Sequence, residues 1–225
     1  MMKDVRLIVR KEWRGFAKSD RWIFVIYGIL VIAWGILLSN NIGILSSGAG
    51  YLWLAFFSVI ISGNFSNMTF VAERMSGSLE ILLTSGVSRQ SILNGKILFI
   101  VIVSMGMGFL CYLFALGINV VKGENVAVLL TVTPIGEELI LYVTACFMNA
   151  TCGAWLSVRI NNPRILPFIN LFVLVIIVII HGVVSEIYTL TPWSLIIALI
   201  LTGVLFYYVA YRDFNSERVI QPVVY

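Results

Sequence analysis

Long apolar runs broken by short polar segments set the plan of this chain. Six runs of about twenty residues, near 22–39, 51–72, 97–118, 138–158, 165–184 and 193–211, carry little or no charge. At about 1.5 Å of rise per residue, each is long enough to cross the ~30 Å hydrocarbon core of a bilayer as an α-helix. Ahead of them, residues 3–18 follow another rule. Val5, Ile8, Val9, Trp13, Phe16 and Ala17 recur at helical spacing, and Lys3, Arg6, Arg10, Lys11, Arg14 and Lys18 take the remaining faces. This predicts an amphipathic helix lying in the membrane interface with its cations near anionic headgroups. It lacks the central apolar core and cleavage site of a signal peptide. The longest polar interruption, residues 73–96, reads ERMSGSLEILLTSGVSRQSILNGK. A short amphipathic helix over Leu79-Glu80-Ile81-Leu82-Leu83 is predicted there, stopped by Gly86, with Ser88 capping the next helix.

Composition removes the soluble alternative. Of 225 residues, 60% are hydrophobic and 12% charged, more apolar surface than a soluble domain of this length can hide. The expected fold is all-α and integral to the membrane. One transmembrane domain over residues 1–225 holds six transmembrane helices, an N-terminal interfacial amphipathic helix over 3–18 and a short cytoplasmic helix between spans two and three.

Charge then orients it. Of the 15 Lys and Arg residues, all but Lys122 fall before the first span, in 73–96, between spans four and five, or at the end of the chain. The positive-inside rule puts those segments and both termini in the cytoplasm, in a cell (inner or plasma) membrane. The net charge of +4 follows from this bias, so nucleic acid is not an expected partner. Cys111, Cys146 and Cys152 lie within spans and make neither a disulfide framework nor a metal-ligand pattern.

Candidate chemistry is sparse. The second span places Ala55, Ser58, Ser62, Ser66 and Thr69 at helical spacing, with Gly63, Asn64 and Asn67 beside them. Such a face serves close helix packing, or one wall of a translocation path or subunit interface. Asn170 and His181 in the fifth span are either hydrogen-bonded packing residues or contacts for a transported molecule. The segment 119–138 is an external loop, either plain or touching the headgroups as a lid. Motifs such as H-E-x-x-H and G-x-S-x-G are missing, and no span contains an aspartate, so no catalytic residue is expected. Gly95-Lys96 lacks the glycine loop of a nucleotide site. Any ATP hydrolysis belongs to another polypeptide.

The 73–96 segment resembles the cytoplasmic loop of type-2 ABC exporter permeases. Glu73-Arg74, Gly77, Leu79-Glu80, Leu82-Leu83, Val87-Ser88-Arg89 and Gly95-Lys96 match the pattern E-R-x-x-G-[ST]-L-E-x-L-L, a turn, and a Gly-Lys entering the third span. The family's usual proline in the turn is replaced by Ser85 or Gly86. Gly153-Ala154-Trp155-Leu156-Ser157 with Asn161-Asn162-Pro163-Arg164 is similar to the family's fourth-span end, and Phe214-Asn215-Ser216-Glu217-Arg218 to its tail. The resemblance implies that 73–96 is a coupling helix seated on a separate ATP-binding subunit, with Glu73, Arg74, Leu79, Glu80, Leu82, Leu83 and Arg89 as docking residues and Ile81 beside Leu79, Leu82 and Leu83 as an apolar anchor. It implies two permease chains, identical or homologous, and two ATPase subunits that hold the ATP and magnesium. Residues 185–192 would stand where the family has a short re-entrant hairpin, and are few enough for only an abbreviated version of it. Ser58, Ser62, Ser66, Asn170 and His181 are the candidate translocation path. The expected function is export of a peptide, drug-like or lipid-linked amphipathic molecule. The alternative is a non-transporting membrane partner with a sensing or assembly role such as cytochrome maturation.

Overall fold

The computed structural model describes residues 2–18, 21–40, 49–123, 135–160, 162, 165–188 and 191–214. Among them every regular element is helical. In chain order they are α1 (Met2–Ala17), α2 (Arg21–Asn40), α3 (Ala49–Ser66), a π-helical turn (Asn67–Val71), α4 (Ala72–Met75), α5 (Ser78–Thr84), α6 (Arg89–Val121), α7 (Ile135–Arg159), α8 (Leu166–Ile187) and α9 (Pro192–Asp213).

Local chemistry explains the helix ends. Asp4 in the first turn of α1 and Arg14 in its last oppose the helix dipole. Ser88 is extended and its hydroxyl accepts the Ser91 N–H at 3.2 Å, the N-cap expected for α6. Proline in the first turn opens α8 and α9, where its missing N–H costs nothing. Gly77 and Gly86 flank α5 at φ of +72° and +78°, a region that side chains with a Cβ rarely enter.

Four of these helices are long and apolar enough to cross a membrane: α6, the Leu139–Arg159 part of α7, Leu166–Ser185 of α8 and Trp193–Asp213 of α9. These match the last four apolar runs of the sequence. The first run lies in α2, a helix of 20 residues. The second run lies in α3 and the π turn that continues it, with αR backbone at Ser66 and Ala72 on either side. Helix α6 begins eight residues before the apolar run at 97, since the Ser88 cap rather than hydropathy sets its start. Helix α8 runs on to Ile187, so only residues 188–191 separate it from α9. Of the 119–138 segment, residues 124–134 lie outside the described residues, and so does any lid there.

Helix α7 is the central post. It packs on α9 and α3 most extensively, and on α6 and α8. The other side of α6 carries α1 and α2. Close approach of α6 and α7 depends on Gly108, where an added Cβ would sit 2.2 Å from the Tyr142 ring. That ring is buried, and its hydroxyl donates to the Ser104 carbonyl at 2.8 Å. An aromatic cluster seals α1 to the bundle: Phe16 lies 5.2 Å from Phe65, which stacks on Tyr27 at 5.2 Å. The fold is therefore an all-α bundle with one amphipathic helix buttressing α6.

Candidate functional site

The chemistry gathers at the end of the bundle where α1, α4, α5 and the start of α6 meet. Its centre is Lys96, whose side chain is 0% exposed. An ammonium removed from water must replace its whole hydration by protein acceptors, or burial becomes prohibitive. Lys96 Nζ has three N–H groups and meets three acceptors: Glu12 Oε1 at 2.9 Å, Glu73 Oε2 at 2.7 Å and the Thr69 carbonyl at 2.6 Å. The Phe70 ring centroid lies 5.5 Å away.

The π turn makes the third acceptor possible. Ala72 N–H bonds Asn67 O, five residues back instead of four, so carbonyls in this turn are displaced from regular α-helical pairing. The Thr69 oxygen is turned to the lysine there. Glu73 divides its two oxygens, Oε2 to Lys96 and Oε1 to Lys11 of α1. Two ammonium and two carboxylate groups thereby join α1, α4 and α6 in a neutral network. Burial alone would raise the Glu73 carboxyl. The Lys96 charge and the hydrogen bonds from both lysines outweigh it, holding the group below its ordinary value. Burial likewise acts to lower Lys11, but Glu73 and Glu12 overcome it and raise that ammonium above its ordinary value.

Two more cations fasten this end. Arg74 Nη1 donates to the carbonyls of Ser157 at 2.9 Å and Val158 at 3.2 Å. Both lie in the last turn of α7, where carbonyls lack intrahelical donors and the dipole favours a cation. Arg159 donates through Nε and Nη2 to Oδ2 of Asp213 at 2.8 and 2.6 Å, tying α7 to the end of α9. Asp213 is 2% exposed. The segments around α5 are thus anchored to α1, α6 and α7.

Helix α5 divides its own residues between core and surface. Leu79 is 2% exposed in the core, and Leu82 and Leu83 pack partly buried against it. Ile81 is 72% exposed. Two steps of about 100° along a helix turn Ile81 to the side opposite Leu79, so both cannot face one partner. Glu80 is half-buried, while Arg89 stands exposed at the start of α6. Of the seven residues named for docking, Glu73, Arg74 and Leu79 are engaged within the chain. Arg89 is exposed, as is Ile81 of α5. A groove of about 550 Å³ at the start of α6 is lined by Ser88, Arg89, Gln90, Tyr211, Arg212 and Phe214.

The second group of candidates is only partly assembled. Ser58, Ser62, Ser66 and Asn170 are all buried inside the bundle. Asn149 of α7, not marked by the sequence reading, links them: its Nδ2 donates to Ser58 Oγ at 2.9 Å, and Asn170 Nδ2 donates to its carbonyl at 3.1 Å. Gly153 admits Ser66, whose Oγ would lie 2.5 Å from an added Cβ. Ser62 returns its hydroxyl to the Ser58 carbonyl of its own helix. His181 stands apart, eleven residues and roughly 16 Å along α8 from Asn170. Its Nε2 meets Ser194 Oγ of α9 at 2.8 Å. The Ser194 hydroxyl donates its single proton to the Thr191 carbonyl at 2.7 Å, so the imidazole is the donor to Ser194.

Glu12 and the internal role of Lys96 escaped the sequence reading. Glu12 had a signal: it falls four residues after Ile8 and four before Phe16, on the apolar stripe of α1. A carboxylate there requires a cationic partner. Among the described residues, no group of His, Cys, Asp and Glu could hold a metal ion. Compared with models of known protein families and with curated protein sequences, the chain matches none.

Proposed function

We propose that this chain is the membrane permease subunit of an ATP-driven exporter of the type-2 ABC class. Separate ATP-binding subunits dock on the exposed side of α5. The observation that carries this reading is the mounting of α5: a short helix with an exposed apolar side chain, Ile81, flanked by segments anchored through Lys96, Glu73 and Arg74. A loop that only reverses the chain needs no such anchoring. A docking element does, because force applied to it must reach the bundle rather than dissipate in a slack connection. Arg89 and Arg212 of the groove at the start of α6 can meet carboxylates of the partner.

In this reading six spans cross a cell membrane, and both termini and α5 lie in the cytoplasm. The chain works with a second permease chain, identical or homologous, while ATP and magnesium reside on the partner ATPases. Closure of those subunits shifts the bundle between access states. The cargo is amphipathic, in keeping with buried polar residues that, apart from the mutually paired Glu12 and Lys96 and the Arg159-paired Asp213, are neutral amides and hydroxyls.

The test is co-purification from mild detergent, with partners identified by mass spectrometry. Wild type is expected to bring down a polypeptide with a phosphate-binding glycine loop. The doubly substituted Glu80→Lys, Ile81→Asp chain should lose it while keeping its melting temperature. Leu79 is unsuited to this purpose, since its burial makes any charge there a folding defect. No such polypeptide with wild type, or equal recovery with the variant, would overturn the proposal.

A further inference from the structure

A second surface has a different chemistry. Between α1 and the bundle runs an open groove of about 870 Å³, within the range of ligand-sized pockets. One wall is Met2, Val5, Arg6 and Val9 of α1, and the opposite wall is Asn94, Ile97, Leu98 and Val101 of α6. Both sets follow the i, i+3, i+4, i+7 spacing of a single helix face. Phe147 of α7 and Tyr207 of α9 complete it. The stripe on α6 extends about 10 Å along the axis.

Between the cations and the apolar side chains, the two polar residues of the wall meet each other. Tyr207 OH donates to Asn94 Oδ1 at 2.6 Å. A polar molecule lying along this surface would forfeit its hydrogen bonds to water and find few replacements. A hydrocarbon chain would lose nothing. The rim differs in kind: Lys3 and Arg6, one turn apart on α1, are exposed and line the opening. An apolar slot closed at one side by two cations is complementary to an amphiphile with an anionic head.

We infer that this groove holds an anionic phospholipid, its acyl chain between α1 and α6 and its phosphate between Lys3 and Arg6. The inference rests on the membrane placement of the helices and is independent of the exporter reading. Bound there, the lipid fills the space under the N-terminal half of α1. It ties the helix that carries Glu12 and Lys11 to the composition of the surrounding leaflet. Two exposed cations near an anionic headgroup correspond to a preference of roughly tenfold or more over a zwitterionic lipid.

The purified chain, stripped of lipid in detergent, would be offered phosphatidylglycerol and phosphatidylcholine in equal amounts. Retained lipid is counted by native mass spectrometry. Wild type is expected to keep phosphatidylglycerol preferentially. Lys3→Gln with Arg6→Gln should abolish the preference, and Val101→Trp, which fills the slot, should reduce retention of both lipids. Leu98→Trp fills the more exposed mouth, and is the variant to read if Val101→Trp does not fold. Arg14→Gln, an exposed cation of α1 outside the groove, should change nothing. Equal retention of the two lipids by wild type would overturn the inference. So would an Arg14→Gln loss as large as that of the rim pair, or undiminished binding in a folded groove-filling variant. Loss of ATPase docking in the α5 variants would leave this result untouched.

Discussion

At the scale of single residues, Lys96 carries the most consequence. It neutralises Glu12 and Glu73 at a site closed to water, so its removal leaves two carboxylates with diminished compensation. Breaking a buried pair from one side costs about 3–5 kcal/mol. Lys96→Met is expected to destabilise the chain by that order in thermal or denaturant melts. Adding Glu12→Gln and Glu73→Gln to it should recover part of the loss, because neutral amides need no counter-charge. A Lys96→Met chain as stable as wild type would show that the network contributes little.

The same groups set a pH dependence. Glu73 binds its proton less readily folded than unfolded, so its stabilisation is complete above the ordinary carboxyl value of 4.5 and is lost as pH falls through the lower folded value. Lys11 is shifted upward, so its contribution is complete below 10.5 and disappears as pH rises through the folded value. Melting temperature should therefore be level across the neutral range and fall at both ends. The alkaline limb should be the weaker, because Lys11 is 44% exposed and solvent screens it. Glu73→Gln should flatten the acid limb; an unchanged acid limb would assign it to other carboxylates.

At the scale of elements, the length of α6 decides where the network lies. Its 33 residues span about 50 Å, against a hydrocarbon core of ~30 Å. About 20 Å of helix must stand outside, and Lys96 lies roughly 10 Å from its start. The polar first turns belong outside the hydrocarbon, with Lys96 near the boundary, where a fully matched ammonium is least costly. Single-cysteine labelling in a chain whose three native cysteines are replaced tests this. Gln90→Cys should react with a charged thiol reagent from one side of the membrane, Lys122→Cys from the other, and Ile102→Cys from neither. Reaction of positions 90 and 122 from the same side would exclude α6 as a crossing helix.

Element boundaries were legible wherever a local signal existed. Gly86, Ser88 and Pro192 each mark a helix end through backbone geometry or a cap that involves only near neighbours. The π turn within the second apolar run was not legible. Thr69 and Phe70 are as apolar or helix-compatible as their neighbours, and the π turn there is accompanied by a lysine donated from α6. The orientation of Leu79 and Ile81 was also hidden, because a seven-residue helix with apolar side chains on most faces does not announce which one meets the core.

At the scale of the whole molecule, charges and helices were placed by different kinds of information. The helical class, the apolar lengths and the gathering of cations at one end are properties of contiguous sequence. They follow from a bilayer that accepts only apolar, internally hydrogen-bonded segments, a constraint that acts on each stretch separately. Which carboxylate meets which cation is another matter. Glu12 and Lys96 are 84 residues apart and Glu73 and Lys96 are 23 apart, while Arg74 reaches carbonyls 83 and 84 residues away. No local period encodes such pairs. The sequence by itself determined an all-helical chain with spans of membrane length, an amphipathic N-terminal helix and a polar 73–96 segment. Only the tertiary structure decided that Glu73, Arg74 and Lys96 brace that segment from within, since desolvation forces buried charges to find partners and packing alone determines which come within reach.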